Sequence, residues 1–216
     1  EALKLIENLK QLQKNNVPKC FNSLSKMLDD CIMYGTVPFA ILARHGFIAK
    51  TILYSLEKKG IFNKKDIIKF ELSIHTVASE LVEDMGNLHS NKMSIKNFMK
   101  KYGHLRPGTY DIISQRYDQM KDFIESSNNL KSNNKPKPNF KLSKNKEKEI
   151  NKILKQCAFK NFNANDLLKY INEATVAREY SKFIFTKTLS DILELIAEFT
   201  ETVGLNREET SNIPID

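Results

Sequence analysis

With 216 residues, 41% of them hydrophobic and 28% charged, the chain can bury a core in one large domain or two small ones, which excludes a disordered or fibrous polypeptide. Only seven Gly and six Pro interrupt a sequence dominated by Leu, Ile, Lys, Glu and Asn, which favours helices with solvated faces over a turn-rich sheet protein. The net charge of +8 lies wholly in residues 131–160, which hold ten Lys and two Glu set among Asn, Ser and Pro. With little aromatic or Arg content to stack or fork, that stretch reads as a solvated, flexible segment, and nucleic acid is not expected as a partner.

No apolar run approaches the ~20 residues that cross a bilayer, so no membrane is expected. The first residue is Glu1, not Met, and no signal-peptide layout follows it; the reading is a cytosolic fragment of a longer chain. Cys20, Cys31 and Cys157 are odd in number and lack C-x-x-C spacing, so each is expected to be a buried, reduced thiol, with no metal.

In chain order, Leu3, Leu5, Ile6, Leu9 and Leu12 predict a helix over residues 2–14. Val17-Pro18 ends it, because the residue before proline is pushed out of the α region. A second helix is expected over 18–33, stopping near Tyr34-Gly35. A third, apolar in its first half, runs from a Thr36 cap with Pro38 in its first turn to Lys59, closed by Gly60. Asn63 with Asp66 caps a helix to about Met85, and Ser94 caps a short one through Lys101. Two Gly and a Pro make residues 102–111 a loop, and 116–126 is expected to be partly helical. Residues 127–146 form the linker between a helical subdomain, 1–126, and a C-terminal helical segment, 147–216. Helix returns over 147–157, and Asn163 with Asp166 caps a long last helix reaching Val203 before Gly204. Its Phe183, Phe185 and Phe199 are expected in the core. No period-two alternation is sustained, so the expected fold class is all-α, a multi-helix domain with one Lys/Asn/Pro-rich linker.

Three segments, in this order, resemble one family. They are residues 38–49 (Pro-Phe-Ala-Ile-Leu-Ala-Arg-His-Gly-Phe-Ile-Ala) with 73–81 (Ser-Ile-His-Thr-Val-Ala-Ser-Glu-Leu), then 101–112 (Lys-Tyr-Gly-His-Leu-Arg-Pro-Gly-Thr-Tyr-Asp-Ile), then 177–191 (Ala-Arg-Glu-Tyr-Ser-Lys-Phe-Ile-Phe-Thr-Lys-Thr-Leu-Ser-Asp). Together they resemble the helical middle region of phosphoenolpyruvate synthase (pyruvate, water dikinase)-like proteins, a group that includes the rifampicin phosphotransferases. The resemblance implies an accessory, acceptor-side domain that works beside ATP-grasp and swivelling-histidine domains of the same parent chain. It implies ATP and Mg for that parent and a small-molecule phosphoryl acceptor of pyruvate, drug-like or sugar type. No Gly-rich phosphate loop or swivelling-histidine motif occurs in the sequence itself, so no cofactor is expected for this fragment, which should be inactive alone.

Within that frame His104 and Arg106 are the candidate catalytic residues, since phosphoryl transfer needs cations around the moving charge and a group to orient the acceptor. The competing role is internal: Arg106 forks onto Asp111 or a helix-end carbonyl while His104 pins the loop. Arg44, Tyr110, Asp111, Arg178 and Lys182 are the candidate substrate-binding residues. Arg178, Glu179 and Lys182 share one helical face, where Glu179 also suits a surface ion pair. His45 is expected as a satisfied core or interface histidine, His75 as a cap or neighbour of Glu80, and His89 in a polar turn. A different class of protein stays open beside this one, a stand-alone helical interaction module whose Lys-rich linker meets an acidic partner or nucleic acid.

Overall fold

A computed structural model describes residues 2–14, 20–120 and 139–214; helices are their regular structure, with no strand among them. The helices are α1 (Ala2–Lys14), α2 (Leu24–Cys31), α3 (Val37–Lys58), α4 (Lys64–Ser73), α5 (Val77–His89), α6 (Ile95–Tyr102), α7 (Lys144–Gln156), α8 (Ala164–Thr202) and α9 (Arg207–Ser211). The chain divides into two compact units that interleave in sequence. The first holds residues 1–39, 80–134 and 181–216, the second 40–79 and 135–180, so divisions fall inside α3, α5 and α8. A split at 127–146 is therefore replaced by units that each draw on both halves of the chain. Residues 127–138 of that stretch lie outside the described ones.

The stop expected at Tyr34-Gly35 is a π-helical turn, Ile32–Thr36, through which α2 passes into α3. A continuing α-helix would drive the Pro38 ring against the Tyr34 carbonyl and leave it without a donor. The wider turn, in which Val37 N–H donates to Ile32 O, absorbs that mismatch without ending the helix. Gly35 is buried there because a Cβ would stand 2.7 Å from Phe185 Cβ and 3.1 Å from Leu12 Cδ2. By length and composition the run Phe21–Lys58 is the one helix among the described residues long and apolar enough to cross a membrane, and 28% of its apolar window is buried. The shorter apolar runs read from the sequence came from placing a stop at Gly35.

In the first unit, Met85, Leu88, Phe98 and Tyr102 form a buried cluster flanked by Leu105, Tyr117 and Phe183. Ser94 accepts from Asn97 N–H at the start of α6, as its sequence position predicts. Phe185 is 4% exposed, but Phe199 is 38% exposed and stacks on Phe21 at 3.6 Å, a surface pair instead of the core position expected. Cys31 is buried beside the Phe185 carbonyl, and burial pushes its thiol up to about 11. Cys20 and Cys157 are exposed, contrary to their expected burial, because one precedes a short 3-10 turn and the other ends α7.

The second unit centres on Ala49, Leu53, Leu56, Phe62, Ile67, Phe70, Ile150, Leu154, Leu167 and Ile171. Asn63 and Asp66 make the expected capping box. The helix they start ends at Ser73 instead of Met85, because Ile74 turns extended and Thr76 and Ser79 pair to open α5. Part of the expected linker is built into this core. Phe140 packs between Phe62 (5.7 Å) and Phe70 (5.1 Å), Leu142 packs beside it, and Ser143 precedes α7. The expected helical piece at 116–126 is a 3-10 turn, Tyr117–Gln119, in its described part. His45 is satisfied, as expected, by a hydrogen bond to Tyr170 Oη at 3.0 Å, but it is exposed on α3 and not in the core. His75 is exposed between α4 and α5, and His89 ends α5.

Among the described residues four helix ends reverse through a left-handed residue, and two of these are not glycine: Asn91 at φ 57 and Ala158 at φ 63. After α7, Ala158 N–H donates to Lys155 O and Phe159 N–H to Leu154 O, which needs that conformation. An L-residue with a Cβ is strained there by about 1–2 kcal/mol. Ala158→Gly is expected to raise stability by about 1 kcal/mol, and Gly35→Ala to lower it by about 1–3 kcal/mol through overpacking on Phe185, both read by thermal unfolding. A neutral Gly35→Ala would show that the close approach at the π turn is dispensable.

Candidate functional site

The loop after α6 is closed by its own backbone before any side chain is considered. Gly103 N–H donates to Met99 O, Leu105 N–H to Tyr102 O, Tyr117 N–H to Leu105 O and Asp118 N–H to Gly103 O. Gly103 is required by space, since a Cβ would lie 2.4 Å from Met99 O and 2.9 Å from Asp118 Oδ2. Gly108 is required in the same way by Asp111 Cβ at 2.9 Å, and its N–H donates to Ser114 Oγ. Asp111 Oδ1 accepts from Ile113 N–H, a side-chain turn that finishes the reversal.

Arg106 threads the centre of this loop, with its side chain 1% exposed. Its Nη1 donates to the carbonyls of Asp111 and Ser114, both at 3.1 Å. Nη2 donates to Ser190 Oγ at 3.1 Å and Glu194 Oε1 at 2.7 Å, and Nε to Ser190 Oγ at 3.3 Å. Ser190 in turn donates from its hydroxyl to His104 O at 2.7 Å. A guanidinium has five N–H groups, and this set of partners engages them all, leaving none for a phosphoryl group.

Glu194 is the shared acceptor. Arg207, presented by α9, donates to its Oε1 at 3.1 Å and Oε2 at 2.6 Å, and Gln119 Nε2 reaches Oε2 as well. Arg207 also donates to Ile112 O at 3.0 Å, so α9 closes over the loop's far side. Burial opposes ionisation of Glu194, but bonds from Arg207 and Gln119, together with Arg106, outweigh it and bring the carboxyl down to about 2. A second fork sits beside it: Arg116 holds Asp118 through Nε (3.0 Å) and Nη2 (2.9 Å), and Asp191 through Nη1 (2.7 Å).

His104 is 4% exposed, with its ring 4.9 Å from Phe183 in an edge arrangement. Its Nε2 is the one buried side-chain nitrogen or oxygen without a hydrogen-bond partner among the described residues. Burial first, then the charges of Lys187 and Arg116, bring its pKa down to about 4 against the opposing pull of Asp191 and the Phe183 backbone. The imidazole is therefore neutral across the physiological range and shielded from solvent.

Of the residues singled out from sequence, His104, Arg106, Tyr110, Asp111 and Lys182 belong to the first unit, Arg44 and Arg178 to the second. Tyr110 is 62% exposed, Asp111 and Lys182 are exposed, and so is Arg44. Arg178 pairs with Glu179 at 3.1 Å and covers the Phe47 ring at 5.5 Å; a Cβ on Gly46 would meet its Cδ at 2.8 Å. No group of three or more His, Cys, Asp or Glu able to hold a metal occurs among the described residues. Sequence reasoning missed Ser190, Glu194, Arg207 and Gln119. Two signals were readable: a Glu on the α8 face shared by Ser190 and Asp191, and the Asn206–Glu209 capping box that starts α9. No family model, curated protein or solved structure matches the chain.

The lowered pKa values of His104 and Glu194 each make the fold lose stability as pH falls. His104 is neutral when folded and protonates near 6.5 when unfolded, so its contribution is complete above 6.5 and lost as pH falls toward 4. Glu194 is ionised when folded down to about 2, so its contribution is present above its ordinary value of 4.5 and lost between there and 2. Thermal unfolding of the wild type from pH 7 to pH 4 is expected to show a loss on the order of 2–3 kcal/mol from His104 alone. In His104→Leu that segment should flatten while the loss below pH 4.5 remains. An unchanged slope between pH 6.5 and 4 would place the imidazole in contact with water.

Proposed function

We propose that the chain is the helical accessory, acceptor-side region of a phosphoenolpyruvate-synthase-like phosphotransferase. It works in the cytosol with ATP-grasp and swivelling-histidine domains of one parent chain, and ATP cleavage takes place in those domains. The observation that supports this reading is the meeting of the segments that carry the resemblance. Within the first unit Phe39, of the first segment, packs on Phe185, of the third, at 5.0 Å. Arg106, of the second segment, is hydrogen-bonded to Ser190, of the third. Residues far apart in sequence thus serve one arrangement.

In this reading the Gly103–Gly108 loop is a structural brace, and His104 and Arg106 hold it. Both are buried, and the Arg106 donors are all engaged. The exposed Tyr110, Asp111 and Lys182 are the groups of this unit left to face an acceptor.

Radiolabelled ATP offered to the polypeptide of the complete reading frame should label a histidine outside residues 1–216. The 216-residue chain alone should take up no label and show no ATP binding by calorimetry. A reading frame without the two partner domains, or a micromolar ATP site on this chain, would overturn the assignment. In that parent, Arg106→Ala should lower Tm by several degrees and leave transfer per folded molecule near normal. Lys182→Ala should do the reverse, weakening acceptor use without a change in Tm.

A further inference from the structure

The two units carry opposite charge. The first has 16 basic and 18 acidic side chains, the second 18 basic and 8 acidic, a net +10. Five of its lysines lie on α7, in an ordered helix. At 3.6 residues per turn, Lys144, Lys148, Lys152 and Lys155 fall within about 80° of one another, and all four are exposed. Ile150 and Leu154 on the opposite side are buried in the core, at 1% and 7%. Glu147 and Glu149 fall outside the lysine arc. None of the four makes an ion pair among the described residues, whereas Lys146, off the arc, is held by Asp66 at 2.6 Å. Lys141 precedes the row, also exposed. At its other end the left-handed Ala158 turns the chain so that Phe159 stands 53% exposed next to exposed Lys160.

We infer that this lysine face, continued by Lys160 and Phe159, is a binding surface for single-stranded nucleic acid. Three features select that occupant. Successive lysines rise about 6 Å along the helix, a spacing suited to a row of neighbouring phosphates. The face carries no apolar side chain of its own, because those of α7 point into the core, so it lacks the apolar face that seats a helix in a lipid surface. The exposed Phe159 ring at the end of a basic row supplies a platform on which a base can stack, which an acidic peptide would not use. Lysine gives charge without a fork, so the contact reads backbone and stacking, not sequence. This surface belongs to the second unit and stands whatever the loop of the first unit does.

The test is fluorescence anisotropy of a labelled oligothymidylate with the whole chain across a salt series. Four phosphate contacts predict a log–log salt slope of about −3, at roughly 0.7 per contact for single strands. The double variant Lys148→Gln, Lys152→Gln should shrink that slope by about 1.4. Phe159→Ala should weaken the oligothymidylate by about fivefold or more and leave an abasic strand of equal length unaffected. Circular dichroism on each variant checks that these exposed substitutions leave the helices intact. No binding at low salt, or an unchanged slope in the double variant, overturns the inference. Equal affinity for polyglutamate or anionic vesicles, with Phe159→Ala silent, overturns it too and assigns the face to another polyanion.

Discussion

A carboxylate taken out of water costs several kcal/mol unless charged donors replace its hydration. Glu194 meets that requirement with two guanidinium groups and an amide, each delivered by a different part of the chain: Arg106 from the loop, Gln119 from the turn after it, and Arg207 from α9. The consequence runs outward. Arg106 can stay buried only while Glu194 is ionised and Ser190 and two loop carbonyls take its remaining N–H groups. Those carbonyls belong to a loop whose path Gly103 and Gly108 permit by lacking a Cβ. Removing one member leaves the others with desolvated polar groups and no partner.

The same arrangement shapes what the loop can do. A His and an Arg on a tight Gly-flanked turn invite a catalytic reading, because phosphoryl transfer needs both types of group. Burial and saturation argue the other way: an arginine with every donor engaged stabilises a fold, and a neutral imidazole behind Phe183 has no route to an acceptor in this conformation. The two uses of such a motif differ in exposure, which spacing along the chain does not encode.

Much of the local structure was legible from sequence because its determinants are local. The box at Asn63 and Asp66, the cap at Ser94, the left-handed Gly60 and Gly204, and the long helix from Ala164 all stand where short-range rules put them. What escaped was non-local. Gly35 reads as a stop by composition, but its missing Cβ serves Phe185, distant in sequence. Phe140 sits in a Lys, Asn and Pro-rich stretch and reads as linker, yet two aromatic rings of the second unit hold it. Lys144 reads as linker and Lys148, Lys152 and Lys155 as part of a helix over 147–157, and only the register of α7 from Lys144 onward gathers the four on one side. Glu194 and Arg207, thirteen residues apart, are joined by a reversal at Gly204 that no pairwise spacing rule anticipates.

The loop and the helices around it hold together because Arg106 and Glu194 stabilise the fold as a coupled pair. A double-mutant cycle with Arg106→Met and Glu194→Leu, followed by chemical denaturation, measures this directly. Each single change should cost about 3 kcal/mol or more, because it strands the surviving partner in the interior. The double variant should lose little beyond either single one, giving a coupling of about 2–3 kcal/mol. Additive losses, with a coupling below about 0.5 kcal/mol, would contradict the account and place the stability of the loop elsewhere.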